Sequence, residues 1–165
     1  MLDDCLVDGV TSHSAAVYQG HGIRLIANAY STIDGVKMTR AVWRDCWVKR
    51  AARSGFAATY VDGGADIPFP AIRFEGTCTA EANSQQGFFI SGWARLESTG
   101  TIESRENNTG MQFPTTEYEV DFEHQESTTT GGKVSLERVK VTGRRKYALY
   151  VKRAAEVSVS EVTYD

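Results

Sequence analysis

The chain has 165 residues, of which 41% are hydrophobic and 24% charged, so it is long enough to form one globular domain with a substantial core. Its net charge of −3 excludes a general electrostatic attraction to nucleic acid or to an anionic membrane surface. It contains no stretch close to the roughly 18 apolar residues that a membrane-spanning helix needs, and its N-terminus lacks the pattern of a secretion signal.

Short strands are predicted along most of the chain, because Val, Thr, Phe, Tyr and Ile often alternate with polar residues. A unit of six residues recurs, with an apolar residue, a polar pair, and then two inward positions separated by an outward one. The polar pair forms a corner, and the residues before and after it face the same interior. The copies are residues 2–7, 43–48, 74–79, 96–101, 136–141 and 159–164.

Two alternatives stay open within this pattern. Residues 38–52 carry Trp43, Trp47 and Ala51 at four-residue spacing, so a helix is the second interpretation there. In the third and fourth copies either the threonines face inward, or Cys78 with Ala80 and Gly100 with Ile102 do. A slip of one residue exchanges the two faces of a strand.

A second strand follows each of the first five copies after a polar loop. Four of these strands begin with glycine, which suits entry through a tight, left-handed turn; the starts are Gly22, Gly55, Gly87, Gly110 and Tyr147. Such units bury their apolar sides only by stacking. We therefore predict an all-β parallel coil of about five to six turns forming one domain, residues 1–165, with a loop insertion at 115–132. An antiparallel sandwich or jelly roll is the alternative, but neither predicts the recurrent corner or glycine.

The polar corners and the Gly-apolar-x-apolar starts resemble the right-handed parallel β-helix of the pectate-lyase-like superfamily, and bacteriophage tailspikes are the nearest likeness. The resemblance implies a polysaccharide-binding domain of a tailspike-like host-recognition protein, on a virion tail or outside the cell, and leaves open whether the domain also depolymerises its ligand. The six corners lack the asparagine that often stacks in this family, a departure from its secreted enzymes. A free-standing polysaccharide lyase, hydrolase or epimerase is one alternative, and a purely structural spacer is another.

The resemblance also implies where a ligand lies: along the outer face of the strands that begin with glycine. The positions that are predicted to face outward there include Ala57 and Leu149. The predicted substrate-binding residues are Arg24, Thr59, Phe89, Ser91, Trp93 and Gln112. Phe89 and Trp93 are chosen because flat aromatic rings cover the apolar faces of sugars.

Catalytic groups are expected in the loops, because the predicted outer strand positions carry no carboxylate. A glycosidase needs two carboxylates beside the bond, and a lyase or epimerase needs a base and a cation. The candidates are Asp62, Asp66, Glu117 and Glu119. The alternative, non-catalytic interpretations are a turn-forming Asp-Gly for Asp62 and a solvated strand face for Glu117–Asp121. His13 and His21 are interpreted as surface imidazoles. No nucleotide, haem or metal motif occurs, so no cofactor is predicted.

The remaining predictions concern assembly. Cys5, Cys46 and Cys78 lack metal-like spacing and are predicted to lie in or near the core. Leu6, Trp47 and Cys78 are predicted to form an outward apolar stripe, which a monomer seldom exposes. Because the repeat also runs to both ends of the sequence, we expect a segment of a longer protein, or a homo-oligomer that is a trimer by the resemblance.

Overall fold

A computed structural model describes residues 1–10, 20–28, 32–33, 36–37, 40–61, 71–91, 95–109, 118–123, 132–143, 147–152 and 154–165. All regular structure in these ranges is β, so they contain no helix that is long and apolar enough to cross a membrane. The strands are β1 (Leu2–Asp3), β2 (Leu6–Asp8), β3 (Ile23–Asn28), β4 (Thr32–Ile33), β5 (Val36–Lys37), β6 (Arg40–Arg44), β7 (Trp47–Lys49), β8 (Phe56–Val61), β9 (Ala71–Glu81), β10 (Phe88–Ser91), β11 (Arg95–Arg105), β12 (Tyr118–Glu123), β13 (Gly132–Thr142), β14 (Tyr147–Lys152) and β15 (Ala154–Tyr164).

Two parallel sheets contain all but two of these strands. Sheet 1 has eight strands in the order β1-β6-β9-β11-β13-β15, with β2 beside β7 and β7 beside β9. Sheet 2 has five strands in the order β14-β12-β10-β8-β3, and β4 and β5 form a separate antiparallel pair. The chain passes repeatedly from sheet 1 to sheet 2 and back again. We call each such pass, through one strand position of sheet 1 and one strand of sheet 2, a level. The prediction of an all-β chain with mostly parallel strands is confirmed, and the helical interpretation is wrong for residues 40–49, which are β6, a corner and β7.

One core lies between the two sheets and draws side chains from both. Phe56 and Phe88 of sheet 2 are stacked with ring centroids 4.8 Å apart. The ring centroid of Trp43 in sheet 1 lies 5.7 Å from that of Phe56 and 5.1 Å from that of its sheet neighbour Phe74. Aromatic pairs in such tilted and stacked arrangements stabilise a core beyond the area that they bury. The inward alternation of the strands thus produces columns of rings that join the two sheets.

The predicted register of the recurrent unit holds at both ends of sheet 1. Leu2 pairs with Trp43, and Leu6 pairs with Trp47, as the first and second copies require. In the fifth and sixth copies the three apolar pairs that the unit predicts are also present, between Leu136 and Val159, Val139 and Val162, and Val141 and Tyr164. The two-residue corner therefore aligns these four copies correctly.

The third and fourth copies differ from the prediction because their corners have one more residue. Trp47 pairs with Thr79 and not with Cys78, and Phe74 pairs with Ser98 and not with Leu96. Of the two predicted registers, the one with Cys78, Ala80 and Ile102 inward is correct, since all three are buried. Cys78 is therefore not part of an outward apolar stripe, although the prediction that the cysteines belong in or near the core is confirmed for Cys46 and Cys78.

The glycines that open the sheet 2 strands have a role other than the predicted one. Gly22, Gly55 and Gly87 do not have positive φ, so the left-handed turn is wrong. They are needed for space: a Cβ at Gly55 would lie 2.8 Å from the carbonyl oxygen of Gly87 and 2.9 Å from the Cβ of Ala80. Gly110, the fourth predicted start, lies outside the described residues.

The fourth strand of sheet 2 is β12, which lies within the predicted loop insertion 115–132. Val120 pairs with Phe88 on one side and with Leu149 on the other. The residues of this stretch on either side of β12, up to 131, lie outside the described ranges. The alternation here predicted only a strand within the loop and not a strand of the sheet, because Tyr118–Glu123 follows no glycine.

A second series of corners, which the sequence did not reveal, follows the sheet 1 strands. Arg50, Ala82 and Glu106 have positive φ there. The backbone N–H of each donates to a backbone carbonyl at the end of the next sheet 1 strand, with N···O distances of 2.7–3.0 Å. Inside these corners Asn83 and Asn107 are stacked: the Nδ2 of Asn83 donates to the Oδ1 of Asn107 at 2.7 Å. Asparagine stacking is thus present in this chain, in the corners that follow the sheet 1 strands and not in the six two-residue corners of the repeat.

Candidate functional site

The outer face of sheet 2 brings residues of five strands into one row. We call Arg24, Ala57, Phe89, Asp121 and Tyr150 the outer row, since each pairs with the next across neighbouring strands. They alternate with inner positions such as Phe56, Phe88 and Val120, which are buried. With strands about 4.8 Å apart, the row extends for about 19 Å. The row therefore crosses all five described strands of sheet 2.

Most of the predicted binding residues fall on this sheet. Arg24 and Phe89 belong to the outer row, and both are partly exposed. Thr59 and Ser91 pair with each other in the neighbouring row, whose other members are Ile26, Glu123 and Lys152. Trp93 and Gln112 lie outside the described residues. The structure therefore brings four of the six together, and their role in binding stays a prediction.

Two of the predicted outer positions need correction. Leu149 pairs with the buried Val120 and packs against the core, so it belongs to the inner face and Tyr150 takes its place outside. Ala57 keeps its place in the outer row, between Arg24 and Phe89, but is fully buried. The exposed surface of the outer row is therefore formed by its larger residues, and it is interrupted at Ala57.

The catalytic candidates are only partly covered. Asp62, Asp66 and Glu117 lie outside the described residues, and Glu119 is the second residue of β12, so their roles stay predictions. Asp121 and Glu123 are residues that the sequence reasoning missed as sheet positions, since the register assigns them to the outer row and to the neighbouring row. The expectation that these strands carry no carboxylate is therefore wrong. The alternation of Tyr118–Glu123 was the available signal.

A basic group lies at the β3 end of the outer row. Burial lowers the pKa of His21 to about 4, and the charges of Arg53 and Arg24 act in the same direction, against a hydrogen bond with the backbone of Ser54. His21 is partly buried and is not the surface imidazole that was predicted. Because the imidazole is neutral near pH 7, the two guanidinium groups supply the positive charge of this end. His13 lies outside the described residues.

The basic group is held by contacts of its backbone and side chains. The Nε of Arg53 donates to the Oε1 of Gln85 at 3.1 Å, and its backbone N–H donates to the carbonyl of Gly20 at 2.9 Å. These bonds tie the segment before β3, which carries His21, to the loops that precede β8 and β10. The guanidinium group of Arg53, held in this way beside a partly buried neutral histidine, suits an anionic or strongly polar group of a ligand.

Buried ionisable groups elsewhere in the described ranges are structural. Burial alone would raise the pKa of Glu103, but hydrogen bonds from Arg105 and Lys140 lower it below its ordinary value, so this carboxylate is a poor proton donor. Burial raises the pKa of the Cys78 thiol to about 11, which keeps it from acting as a thiolate nucleophile. The described residues contain no group of His, Cys, Asp or Glu that is arranged to hold a metal ion.

Comparison with protein-family models, with curated proteins and with solved structures finds no match. The outer row and the basic group beside it are therefore assigned from the geometry and chemistry of this chain alone. They combine the partly exposed Phe89 and Tyr150 with the guanidinium groups of Arg24 and Arg53 and the register position of Asp121.

Proposed function

We propose that the chain is a polysaccharide-binding domain of a tailspike-like host-recognition protein, and that the polysaccharide lies along the outer row of sheet 2. The observation that carries this proposal is the register of the row, in which Phe89 and Tyr150 flank the position of Asp121, with Arg24 at the far end. Aromatic rings cover the apolar faces of sugars, and charged or polar neighbours bind hydroxyl and carboxylate groups.

A right-handed parallel β-helix is the architecture that we propose for the whole domain. The support is that successive strands alternate between two parallel sheets around one core. Connections between parallel strands of one sheet are right-handed in about 98% of cases. A stack of this kind presents the same face at every level, so a linear polymer meets a repeated surface.

Assembly into a trimer is part of the same proposal. Leu6 and Trp47 pair across β2 and β7, and both are exposed on sheet 1. The Nζ of Lys49 lies 4.9 Å from the centre of the Trp47 ring, so this patch combines a cation with apolar surface. Sheet 1 then faces neighbouring subunits while sheet 2 stays open to the ligand, on a virion tail.

Depolymerisation is the second candidate function, and the acidic residues of β12 favour it. Asp121 and Glu123 stand two residues apart on the sheet that we assign to the ligand, and Glu119 precedes them. Hydrolysis of a glycosidic bond needs an acid and a second carboxylate. Asp62, Asp66 and Glu117 remain the loop candidates for the same roles. Release of reducing ends or unsaturated sugars by the wild-type chain distinguishes an enzyme from a binding module.

The test is a titration of a panel of bacterial surface polysaccharides against the wild-type chain and its variants. Phe89→Ala and Arg24→Gln are each expected to weaken binding by about tenfold or more, equivalent to about 1.4 kcal/mol. The matched controls on sheet 1 are Tyr164→Ala and Arg95→Gln, which remove an exposed aromatic ring and an exposed guanidinium group there. Equal losses in the controls, or a panel in which nothing binds, would contradict the proposal.

A further inference from the structure

We propose that a phosphate group binds on the outer face of sheet 1, between the guanidinium groups of Arg40 and Arg95 and above the small side chain of Ala71. The site is independent of the polysaccharide site, which lies on sheet 2. It is also separate from the exposed pair Leu6 and Trp47, because that pair follows the corner of sheet 1 and the proposed site precedes it.

The three residues occupy one row across neighbouring strands. Arg40 of β6 and Arg95 of β11 both pair with Ala71 of β9. With strands about 4.8 Å apart, the backbone positions of the two arginines are about 10 Å from each other, and only a methyl group stands between them. An arginine side chain can reach the middle of this gap from either side. The row therefore leaves space for a small anion between two guanidinium groups.

Arg73 adds a third guanidinium group from β9 itself. It stands two residues after Ala71, so it lies on the same face of the strand. Its Nε lies 3.3 Å from the Oε1 of Glu75, but this atom is buried and has no hydrogen-bond partner among the described residues. Buried donors are normally paired. The Arg73 guanidinium group is therefore short of acceptors, which an oxyanion would supply.

The guanidinium groups of Arg40 and Arg95 also keep donors for a ligand. Their side chains are 53% and 60% exposed. The Nη2 of Arg40 lies 3.8 Å from Glu75, and the Nε of Arg95 lies 3.4 Å from Glu97. Both distances exceed the roughly 2.7–2.9 Å of a charge-assisted hydrogen bond. Glu75 instead accepts a hydrogen bond from the Nε of Arg44, at 2.9 Å.

The charge of this face favours an anion. Before the corner, the outer positions of β1, β6, β9 and β11 carry four guanidinium groups and three carboxylates, so one positive charge is in excess on a chain whose net charge is −3. Arginine binds phosphate through two parallel hydrogen bonds, and a tetrahedral oxyanion can accept from guanidinium groups on three sides. The charged residues are Arg40, Arg44, Arg73, Arg95, Asp3, Glu75 and Glu97.

The site lies on the face of sheet 1 and not at its edge. β9 lies between β6 and β11, and β11 lies between β9 and β13. Side chains of a strand stand roughly perpendicular to their sheet, so a strand added in the plane of the sheet would lie beside this row and not over it. The exposure of the row therefore follows from the direction of its side chains.

The test is isothermal titration calorimetry of the full chain with sodium phosphate, at an ionic strength held constant with sodium chloride. We expect saturable binding, which Arg40→Gln and Arg95→Gln each weaken by about tenfold or more. Ala71→Leu keeps every charge but fills the gap, so it should weaken binding as much. The matched control is Arg138→Gln, which removes an exposed guanidinium group after the corner and should leave the affinity unchanged. Circular dichroism checks that each variant keeps its β-structure.

Methyl phosphate in place of inorganic phosphate distinguishes the source of the group. Equal binding of both indicates an esterified phosphate, binding of inorganic phosphate alone indicates the free ion, and either result supports the site. Arg95→Gln should leave polysaccharide binding unchanged, so this site and the polysaccharide site can fail separately.

Four outcomes would overturn the proposal. The first is that wild-type chain shows no saturable binding of phosphate. The second is that acetate binds as tightly as phosphate, and the third is that Ala71→Leu binds phosphate like wild type. The fourth is that Arg24→Gln removes phosphate binding while Arg95→Gln keeps it, which would assign the anion to the basic group of sheet 2.

Discussion

Asn107 stabilises the second corner through four hydrogen bonds of one buried amide. Its Oδ1 accepts from the backbone N–H and from the Nδ2 of Asn83, at 3.0 and 2.7 Å. Its Nδ2 donates to the carbonyl of Ala80 at 2.9 Å and to the Oγ of Ser104 at 2.8 Å. Asn83 in turn accepts from the backbone of Ala51 at 2.8 Å. A buried amide that is fully bonded in this way links the loops that follow three neighbouring strands of sheet 1, β7, β9 and β11.

Replacing Asn107 with alanine should therefore be costly. The change leaves the N–H and Nδ2 of Asn83 and the carbonyl of Ala80 without this partner, and each buried unpaired group costs about 1–3 kcal/mol. We expect Asn107→Ala to lower the free energy of unfolding by about 3 kcal/mol, measured by urea denaturation. Ser135→Ala, at an exposed position of β13, is the control and should change it by less than about 0.5 kcal/mol. A loss as small as that of the control would contradict the role of the stack.

The sequence did not predict this stack, and the reason is local. Asn83 and Asn107 stand in polar loop stretches without apolar periodicity, so no pattern marks them as buried. Their burial depends on the length of each corner and on which level lies above it. The residues of the outer row were easier to predict, because Arg24 and Phe89 alternate with the apolar residues of a strand.

At the scale of elements, corner length decides which strands align. The corners of β9 and β11 each contain a glycine with positive φ, Gly76 at 61° and Gly100 at 121°, and these two residues pair directly. The extra residue keeps Cys78 and Ile102 on the inner face. The sequence alignment of these copies failed because it assumed a two-residue corner and because Phe74 pairs with a serine, which hydrophobicity alone does not identify. It succeeded for the other four copies, where the corner has two residues.

A comparison of two glycine substitutions tests the packing of these corners. Gly100→Ala and Gly9→Ala both put a side chain on a backbone with positive φ, which costs about 1–2 kcal/mol. At Gly9 the new Cβ meets open space, whereas at Gly100 it would overlap the backbone of Gly76. We expect Gly100→Ala to lower the free energy of unfolding by about 1–3 kcal/mol more than Gly9→Ala does. If chemical denaturation shows that the two variants lose the same free energy of unfolding, the corners of β9 and β11 do not pack against each other at Gly76 and Gly100.

For the molecule as a whole, the two sheets divide the surface into regions of different character. Sheet 1 carries cross-strand ion pairs and an exposed apolar pair at Leu6 and Trp47. Sheet 2 carries the outer row and the basic group around Arg24 and Arg53. This division could be predicted only in outline. The repeat gives the stacking of levels, but the assignment of Asp121 to sheet 2 depends on β12, which looks like part of a loop in the sequence.

Hydroxyl-radical footprinting with and without a polysaccharide that the chain binds is the most direct test of the division. It reports the accessibility of aromatic side chains on both sheets in one measurement. We predict that the ligand reduces oxidation of Phe89 and Tyr150, while oxidation of Trp47 and Tyr164 on sheet 1 stays unchanged. Protection of Trp47 and Tyr164, with Phe89 and Tyr150 oxidised as before, would contradict it.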